Sequence, residues 1–387
     1  MTIRGKAHIA GAFEHPDRKI PDKSVAQVHA EVALGALADA GLSLSDVDAY
    51  FCAGDAPGFG PISMADYLGL RRLRYLDSTE TGGSSYLVHV GHAAAAIAQG
   101  KCRIALITLA GLPRSQRPAR ASASARAPEA AFEQPFGPTT VSMYALAARR
   151  HMHEYGTTSA QLAAIKVAAS RHAQHNPNAM LRNPVTVAEV LESPMISDPL
   201  HRLDCCVISD GGGALVVVAP EVARDLPRQT VTVLGQGESP KLAGGRIDLT
   251  YTGAVWSGPR AFEEARVTAG DIDYASIYDS FTITVLQTIE DLGFCEKGKG
   301  GAFAADGSLQ APYGRLPFNT DGGGLCNNHP ANRGGMTKVV EAVRQLRGEA
   351  NGPVQVPDCE LALAHGNGGS LGTRSGAATL ILGREDA

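Results

Sequence analysis

The sequence lacks the features that mark several classes of protein. No apolar run approaches the ~20 residues that a membrane-spanning helix needs. The N-terminal stretch MTIRGKAHIAGAFEHPD has no apolar core of the kind a secretory signal carries. The expectation is a cytoplasmic chain with no membrane span. The net charge is only −4 over 387 residues, too small for a general pull toward nucleic acid or anionic membranes. Cys52, Cys102, Cys205, Cys206, Cys295, Cys326 and Cys359 show no CxxC spacing, and the adjacent Cys205 and Cys206 cannot readily bond each other. That argues against a disulfide framework and against a zinc site. Glycine, by contrast, is plentiful (44 residues). It gathers in short clusters at the ends of periodic segments, which excludes collagen-like and low-complexity chains.

One absence is local. The stretch DSTETGGSSYLVHVGHAAAAIAQG, residues 77–100, reads as a strand end, a glycine turn and a helix of small apolar residues. That arrangement presents a nucleophile at a helix N-terminus, yet the turn holds no cysteine. Three units recur in the same order along the chain. ALADAGLSLSDVDAYFCAG, from Ala36, matches AFEEARVTAGDIDYASIYDS, from Ala261: a helix, a short turn, an Asp-Val/Ile-Asp step and an apolar strand. The glycine turn and helix from Asp77 match NRGGMTKVVEAVRQLRG, from Asn332. SDGGGALVVVAP matches RSGAATLILGRE, each a glycine turn leading into a β-rich strand. Ordered recurrence at so long a period indicates a duplicated α/β chain. Its continuous apolar strands suit a sheet covered by helices on both faces.

The first half carries an insertion between about Leu112 and Leu203. It opens with the Pro-, Ala- and Arg-rich PRSQRPARASASARAPEAAFEQPFGP, which reads as an exposed loop. Helices over TVSMYALAARRHMHEYG and SAQLAAIKVAASRHAQHNP follow, and a third starts at Thr186, whose spacing to Glu189 is that of a capping box. This part is expected to lie over a site. The division is 1–220 for the first half, including the insertion at about 112–203, and 221–387 for the second.

Four segments in order, GGGLCNNHPANRGG, IYDSFTITVLQTIEDLGF, HGNGGSLGTRSGAATLIL and RLDCCVISDGGGALVV, resemble motifs of the thiolase superfamily. Within it they resemble the sterol-carrier-protein thiolase-like (lipid-transfer-protein) branch. The resemblance spans essentially the whole chain. It implies the thiolase fold: two duplicated α/β halves in a layered αβαβα arrangement with a helical loop-domain insertion. GGGLCNNHP resembles the family's Gly-His-Pro motif, with His329 kept and Asn328 replacing the glycine. IYDSF resembles the Asn-Glu-Ala-Phe region, with Tyr278 at the Asn position. HGNGG takes the place of Cys-x-Gly, with His365 at the cysteine. The nucleophilic cysteine of the family falls at or near Gly82, where Gly82, Gly83, Ser84 and Ser85 offer no thiol.

His329 is expected to donate to a developing enolate or thioester oxyanion. His365, at the end of an apolar strand, is expected to face the crevice and move a proton. Tyr278 could serve as acid, base or oxyanion donor, whereas Asp279 is read as holding backbone groups. Backbone N–H groups at Gly82, Gly83, Asn367 and Gly368 could bind a carbonyl oxygen. Ser84 or Ser85 could attack only with an adjacent base, and none is evident in the turn. Cys326 is read as the only thiol near the site, more suited to packing than to attack. His89 and His92 lie one helical turn apart, without an evident third ligand. Arg114, Arg117, Arg120 and Arg126 could meet the phosphates of coenzyme A or simply keep a loop soluble.

Without the thiolate, ping-pong acyl transfer should fail. What survives suits a thioester enolate formed without acylating the protein, as in retro-aldol cleavage of a β-hydroxyacyl-CoA. The alternatives are acyl transfer by a non-standard nucleophile and a non-catalytic acyl-CoA or lipid-binding subunit. No permanent cofactor is expected, coenzyme A entering as part of the substrate. The resemblance further implies a homodimer and a small partner protein with a zinc ribbon and an OB-fold.

Overall fold

The computed structural model describes residues 2–116, 128–242, 248–330 and 334–384. The duplication read from the sequence is visible residue by residue in the local hydrogen bonds. Helix α1 (Val25–Ala40) is capped by Ser24, and Gly41 ends it at φ 70°, a left-handed conformation that glycine adopts at little cost. After it, Ser43 N–H donates to Asp46 Oδ2 (2.9 Å) and the chain turns into β2 (Ala49–Phe51), β1 (His8–Glu14) having come first. The second half repeats this: after the helix Ala254–Ala265, Thr268 N–H donates to Asp271 Oδ2 (2.8 Å) before the strand Tyr274–Ile277. The Asp-x-Asp steps then have one job in both halves. Asp48 accepts from the N–H groups of Arg103 and Ile104, and Asp273 from those of Glu360 and Leu361. Each carboxylate fixes the start of the parallel strand beside it.

The remaining elements run in chain order. The first half continues with α2 (Pro61–Tyr67), β3 (Tyr75–Asp77), α3 (Ser85–Ala98) and β4 (Ile104–Gly111). The insertion holds α4 (Ala130–Glu133), α5 (Thr140–Tyr155), α6 (Ser159–Ala173), α7 (Val187–Glu192) and a short ribbon of β5 (Met195–Ser197) and β6 (Leu200–His201). Thr186 and Glu189 close a capping box at the start of α7. Then come β7 (Gly211–Val218), α8 (Pro220–Ala223), β8 (Val231–Lys241), α9 (Ala254–Ala265), β9 (Tyr274–Ile277), α10 (Thr282–Asp291), α11 (Gly300–Ala305), α12 (Gly323–Cys326), α13 (Gly335–Arg347), β10 (Leu361–Gly369) and β11 (Ser375–Arg384).

Nine strands form one sheet in the order β3-β2-β4-β7-β1-β8-β11-β10-β9. The order β2-β4-β7-β1 on one side mirrors β9-β10-β11-β8 on the other, and the halves join where β1 pairs antiparallel with β8 at His8 and Ile9. The apolar core lies in three parts. Helix α1 covers the outer face of the first half, with Val32 and Leu37 against Val216. Helices α9 and α10 cover the outer face of the second, with Leu286 and Ile289 near Ile277 and Leu363. Between the halves lie α3 and α13, where Leu87 and Val90 meet Met336 and Val340. The result is five layers, αβαβα. All seven cysteines are free thiols.

Candidate active site

Strand β9 ends at Ile277, whose N–H and C=O are both held at 2.8 Å by the Asn319 carboxamide. Tyr278 N–H then donates to His365 O (2.9 Å). This sets the Tyr278 side chain beyond the carboxyl ends of β9 and β10, where open α/β sheets present their ligand sites. The Tyr278 hydroxyl lies 2.8 Å from His329 Nε2. His329 is anchored from behind, its N–H donating to Ser209 Oγ (2.9 Å). Burial pushes the His329 imidazole down to about 4; the Asp279 carboxylate opposes this and the Lys338 ammonium adds to it. At neutral pH the ring is therefore uncharged, and its Nε2 can accept the phenolic proton.

Asp279 points away from this pair. It accepts from Gly324 N–H (2.7 Å) and Leu325 N–H (3.1 Å) and meets Lys338 Nζ at 3.2 Å. It thereby ties the strand end to the loop that carries His329. That loop is also tied to the first half: Asn327 donates to Glu14 Oε1 (3.1 Å) and Asp321 Oδ2 (2.9 Å), and Asn328 donates to Glu14 Oε1. Asn328 thus adds a bond to the buried Glu14 that a glycine could not make.

The glycine turn before α3 meets this pair edge-on. Gly82 has φ 66° and its N–H donates to Glu80 Oε1 (2.9 Å). A side chain on Gly83 would put Cβ 2.5 Å from Tyr278 Cε2 and 2.3 Å from Asn367 O; one on Gly82 would sit 2.8 Å from Gly368 Cα. The tyrosine ring and the β10 backbone fill the space that a side chain from this turn would enter. The other central helix arrives at the same point. A Cβ on Gly335 would lie 1.8 Å from Gly83 O, and one on Gly334 would lie 3.2 Å from both rings. Two helix N-termini, those of α3 and α13, therefore converge beside the Tyr278–His329 pair, where their dipoles favour negative charge.

A cavity of about 280 Å³ opens onto this pair; Gly83, Tyr278, His329, Asn367, Gly368 and Cys206 line it. The insertion closes it from the far side through Thr140, Met143 and Tyr144, and the Tyr144 hydroxyl donates to Gly369 O (3.1 Å). Burial raises the Tyr144 phenol to about 12, so it stays protonated. At the rim, Arg374 Nη2 contacts both Glu133 carboxylate oxygens (2.7 and 3.0 Å) and joins α4 to the β10–β11 turn.

Other residues singled out in the sequence are placed as follows. His365 is buried on the face of β10 toward α10, with Nδ1 2.8 Å from Thr379 Oγ1, and it does not line the cavity. Strand alternation and depth along the strand together are the reason, since Asn367, on the same face but nearer the carboxyl end of β10, does line the cavity. Ala362, Ala364, Gly366 and Gly368 face α3 and its turn, which leaves Leu363, His365 and Asn367 on the opposite face. Ser84 Oγ donates to Thr81 O (2.8 Å), and Ser85 Oγ accepts from Thr81 N–H (2.8 Å). Both hydroxyls bond back to Thr81 within the turn, and neither lines the cavity. Cys326 is fully buried with Sγ 3.1 Å from Lys166 Nζ, away from the cavity.

The reading of Cys326 as the only nearby thiol is thus corrected: the thiol lining the cavity belongs to Cys206, which burial and then the Asp279 charge push well above its ordinary range. Its position just before β7 was visible in the CC pair, but nothing in the sequence distinguished it. Tyr144 and Glu133 were missed because they join the site only through folding of the insertion, and Arg374 because only folding sets the β10–β11 turn against Glu133.

His89 and His92 take separate partners, Thr79 N–H and Asp77 Oδ2 (2.8 Å). Among the described residues no group of three His, Cys, Asp or Glu side chains is placed to hold a metal ion. Arg114 is held through its N–H by Asp210 (2.8 Å), while Arg117, Arg120 and Arg126 lie outside the described residues. Among the described residues no helix is long and apolar enough to cross a membrane.

Five layers, with a tyrosine–histidine pair where two helix N-termini meet at strand ends, describe an α/β enzyme of the thiolase fold. Comparison with known proteins agrees. Residues 235–384 match the family described as thiolase C-terminal domain-like. The chain is 36% identical to an acetyl-CoA acetyltransferase of Methanothermobacter thermautotrophicus, over 91% of this chain and 93% of that protein. It is 35% identical to a steroid side-chain-cleaving aldolase of Thermomonospora curvata, over 90% of this chain and 92% of that one. The solved structure of the Ltp2-ChsH2(DUF35) aldolase superposes with a TM-score of 0.90 at 34% identity, covering 100% of both chains. The chain belongs to the thiolase superfamily, in its sterol-carrier-protein thiolase-like branch.

Proposed function

We propose that this enzyme cleaves a carbon–carbon bond of a β-hydroxyacyl-CoA by a retro-aldol reaction. The observation that carries the proposal is the Tyr278 hydroxyl held at 2.8 Å by an uncharged His329, in the space a nucleophilic side chain would need. The phenol oxygen takes the proton of the substrate's β-hydroxyl while its own proton passes to His329 Nε2. The Cα–Cβ bond breaks, the β-carbon leaves as an aldehyde or ketone, and the bonding pair moves into a thioester enolate. The enolate oxygen is held by backbone N–H groups at the Gly83 and Gly368 turns and by the two helix N-termini. The proton on His329 returns through Tyr278 to the enolate α-carbon, so the protein ends the cycle unchanged. Both halves contribute, divided as 1–220 and 221–387, with the insertion at about 112–203 closing the cavity.

Several features of the working enzyme follow from the same reading. Coenzyme A is part of the substrate rather than a resident cofactor. The enzyme works in the cytoplasm as a homodimer with a small zinc-ribbon/OB-fold partner. The similarity to an Ltp2-ChsH2(DUF35) aldolase supports the partner.

The test is to incubate the enzyme in heavy water with β-hydroxyacyl-CoA substrates, with and without such a partner. Release of a carbonyl compound, with one solvent deuterium at the α-carbon of the shortened acyl-CoA, is expected. Absence of any cleaved product sinks the proposal. One observation favours a second reading, acyl transfer: Cys206 lines the cavity, and a relative is an acetyl-CoA acetyltransferase. Its raised thiol and lack of a placed base weigh against it.

A further inference from the structure

Two buried polar atoms on one face of β10 have no partner among the described residues: His365 Nε2 and Asn367 Oδ1. Both residues are almost wholly inaccessible, at 0% and 1%. A donor or acceptor left unmet at such a depth loses its water without gaining a replacement, which destabilises the fold. Two such atoms, two residues apart on the same side of a strand, are complementary if one is N–H and the other C=O.

The partners of the two residues accommodate the assignment in which His365 carries the N–H and Asn367 the C=O. His365 Nδ1 lies 2.8 Å from Thr379 Oγ1, which lies 2.9 Å from Ser257 Oγ. A hydroxyl donating to Nδ1 leaves the hydrogen of the neutral ring on Nε2. On the other residue, Asn367 Nδ2 already donates to Thr288 Oγ1 (3.2 Å), which leaves Oδ1 as the atom in need of a donor. Burial holds the His365 imidazole down at about 4, and the neighbouring Asn367 side chain partly offsets this. Of the two residues, only Asn367 lines the cavity.

We propose that His365 is a positioning residue: its Nε2–H holds Asn367 Oδ1, directly or through one water, so that the Asn367 Nδ2 group is presented to the cavity as a donor for the substrate's thioester oxygen. The line Ser257–Thr379–His365–Asn367 thus runs from α9 through two strands to the cavity wall. His365 never meets substrate. Its effect is to stop the Asn367 carboxamide from rotating and offering an oxygen where the enolate needs a hydrogen. The last step, from Asn367 to the thioester, rests on the retro-aldol reading above; the orientation of the two side chains does not.

Two measurements separate these parts. In the first, the enzyme is labelled with 15N-histidine and two-bond proton–nitrogen spectra are recorded at pH 7, with His365 assigned from the signals lost in His365→Gln. The expected result is the Nε2–H tautomer, with a shifted Nε2 resonance in Asn367→Ala. An Nδ1–H tautomer, or a spectrum that Asn367→Ala leaves unmoved, overturns the proposal. No turnover is needed.

In the second, a double-mutant cycle on C–C cleavage is measured. His365→Ala is expected to lower kcat by about 10- to 100-fold with little change in KM, less than the loss of a direct oxyanion donor. It should cost almost nothing further in the Asn367→Ala background, and His365→Gln, which keeps an amide N–H, should recover part of the loss. Additive losses in the cycle contradict the coupling. If the unmutated enzyme cleaves nothing, the functional reading fails, and the spectra still decide the orientation.

Discussion

His329 and His365 can be compared directly. Each follows from a family motif, each is buried, and burial holds each ring down at about 4. One sits against the Tyr278 hydroxyl at the cavity. The other lies behind the cavity wall, hydrogen-bonded to Thr379. The difference arises in the backbone. His329 is presented by a loop whose aim is set by Glu14, Asp279 and Ser209. His365 is presented by a strand, where alternation gives it no choice of face once Gly366 and Gly368 have to lie against the turn of α3. A motif position locates a residue along the chain; the element that carries it decides whether the side chain reaches substrate.

The comparison can be broken most severely at the shared partner of His329. Tyr278→Phe removes the hydroxyl and keeps the ring that packs on Gly83. It should lower kcat for C–C cleavage by about 10²–10⁴-fold with an unchanged melting temperature, and near-normal turnover would remove Tyr278 from the mechanism. His329→Gln should cost somewhat less, on the order of 10²-fold, because a backbone-anchored amide can still hold the phenol. Steady-state kinetics beside the His365→Gln variant check the ranking. A larger loss for His365 than for His329 would reverse the comparison.

Gly83→Ala tests the packing between the turn and the tyrosine. Its Cβ would stand 2.5 Å from Tyr278 Cε2, so the ring must move. Overpacking of this kind costs about 1–3 kcal/mol, and activity should fall with the displaced hydroxyl. Denaturant unfolding and kcat together check it, and a stable, fully active variant would show that the ring has room.

Burial also makes the two histidines alike in pH response. His89, His172, His329 and His365 all stand near 4 in the fold, against about 6.5 unfolded. Between pH 6.5 and 4 the unfolded chain therefore binds protons that the native chain does not. Stability should fall as pH drops through that window, by up to about 1.4 kcal/mol per pH unit for each ring. His329→Gln and His365→Gln should each make the urea-unfolding slope with pH shallower to a similar degree.

The smallest expected effect is the opposite one. His92, between Asp77 and Glu238, is raised to about 9, chiefly by the Glu238 side chain. Its contribution should be complete below pH 6.5 and lost as pH rises through 9. In His92→Asn the alkaline part of the stability profile should flatten, while the acid part stays as it was.

Much of the fold was legible because the duplication repeats local chemistry. The Ser43–Asp46 and Thr268–Asp271 boxes and the Asp48 and Asp273 strand anchors need only short-range neighbours. The glycine clusters were legible as turns, but their cause was not. Gly83, Gly335, Gly366 and Gly368 are small because the two central helices, their turns and β10 meet at one point, a condition no local pattern reports. The cavity's outer wall was legible least. Tyr144 and Glu133 come from the insertion, Cys206 from the approach to β7 and Arg374 from the last turn of the sheet, and only folding brings them together. Cys326 was misread for the same reason: its sequence distance to His329 is short, but its thiol turns toward Lys166 on α6.

The central claim is that the carbon–carbon bond breaks without an acyl-enzyme. The most direct measurement stops the enzyme, its partner and a β-hydroxyacyl-CoA in mid-turnover, then weighs the intact protein and quantifies the products from the same sample. Equal amounts of carbonyl compound and shortened acyl-CoA are expected beside protein of unmodified mass. A stoichiometric acyl adduct on the protein, on Cys206 or any other residue, would contradict it.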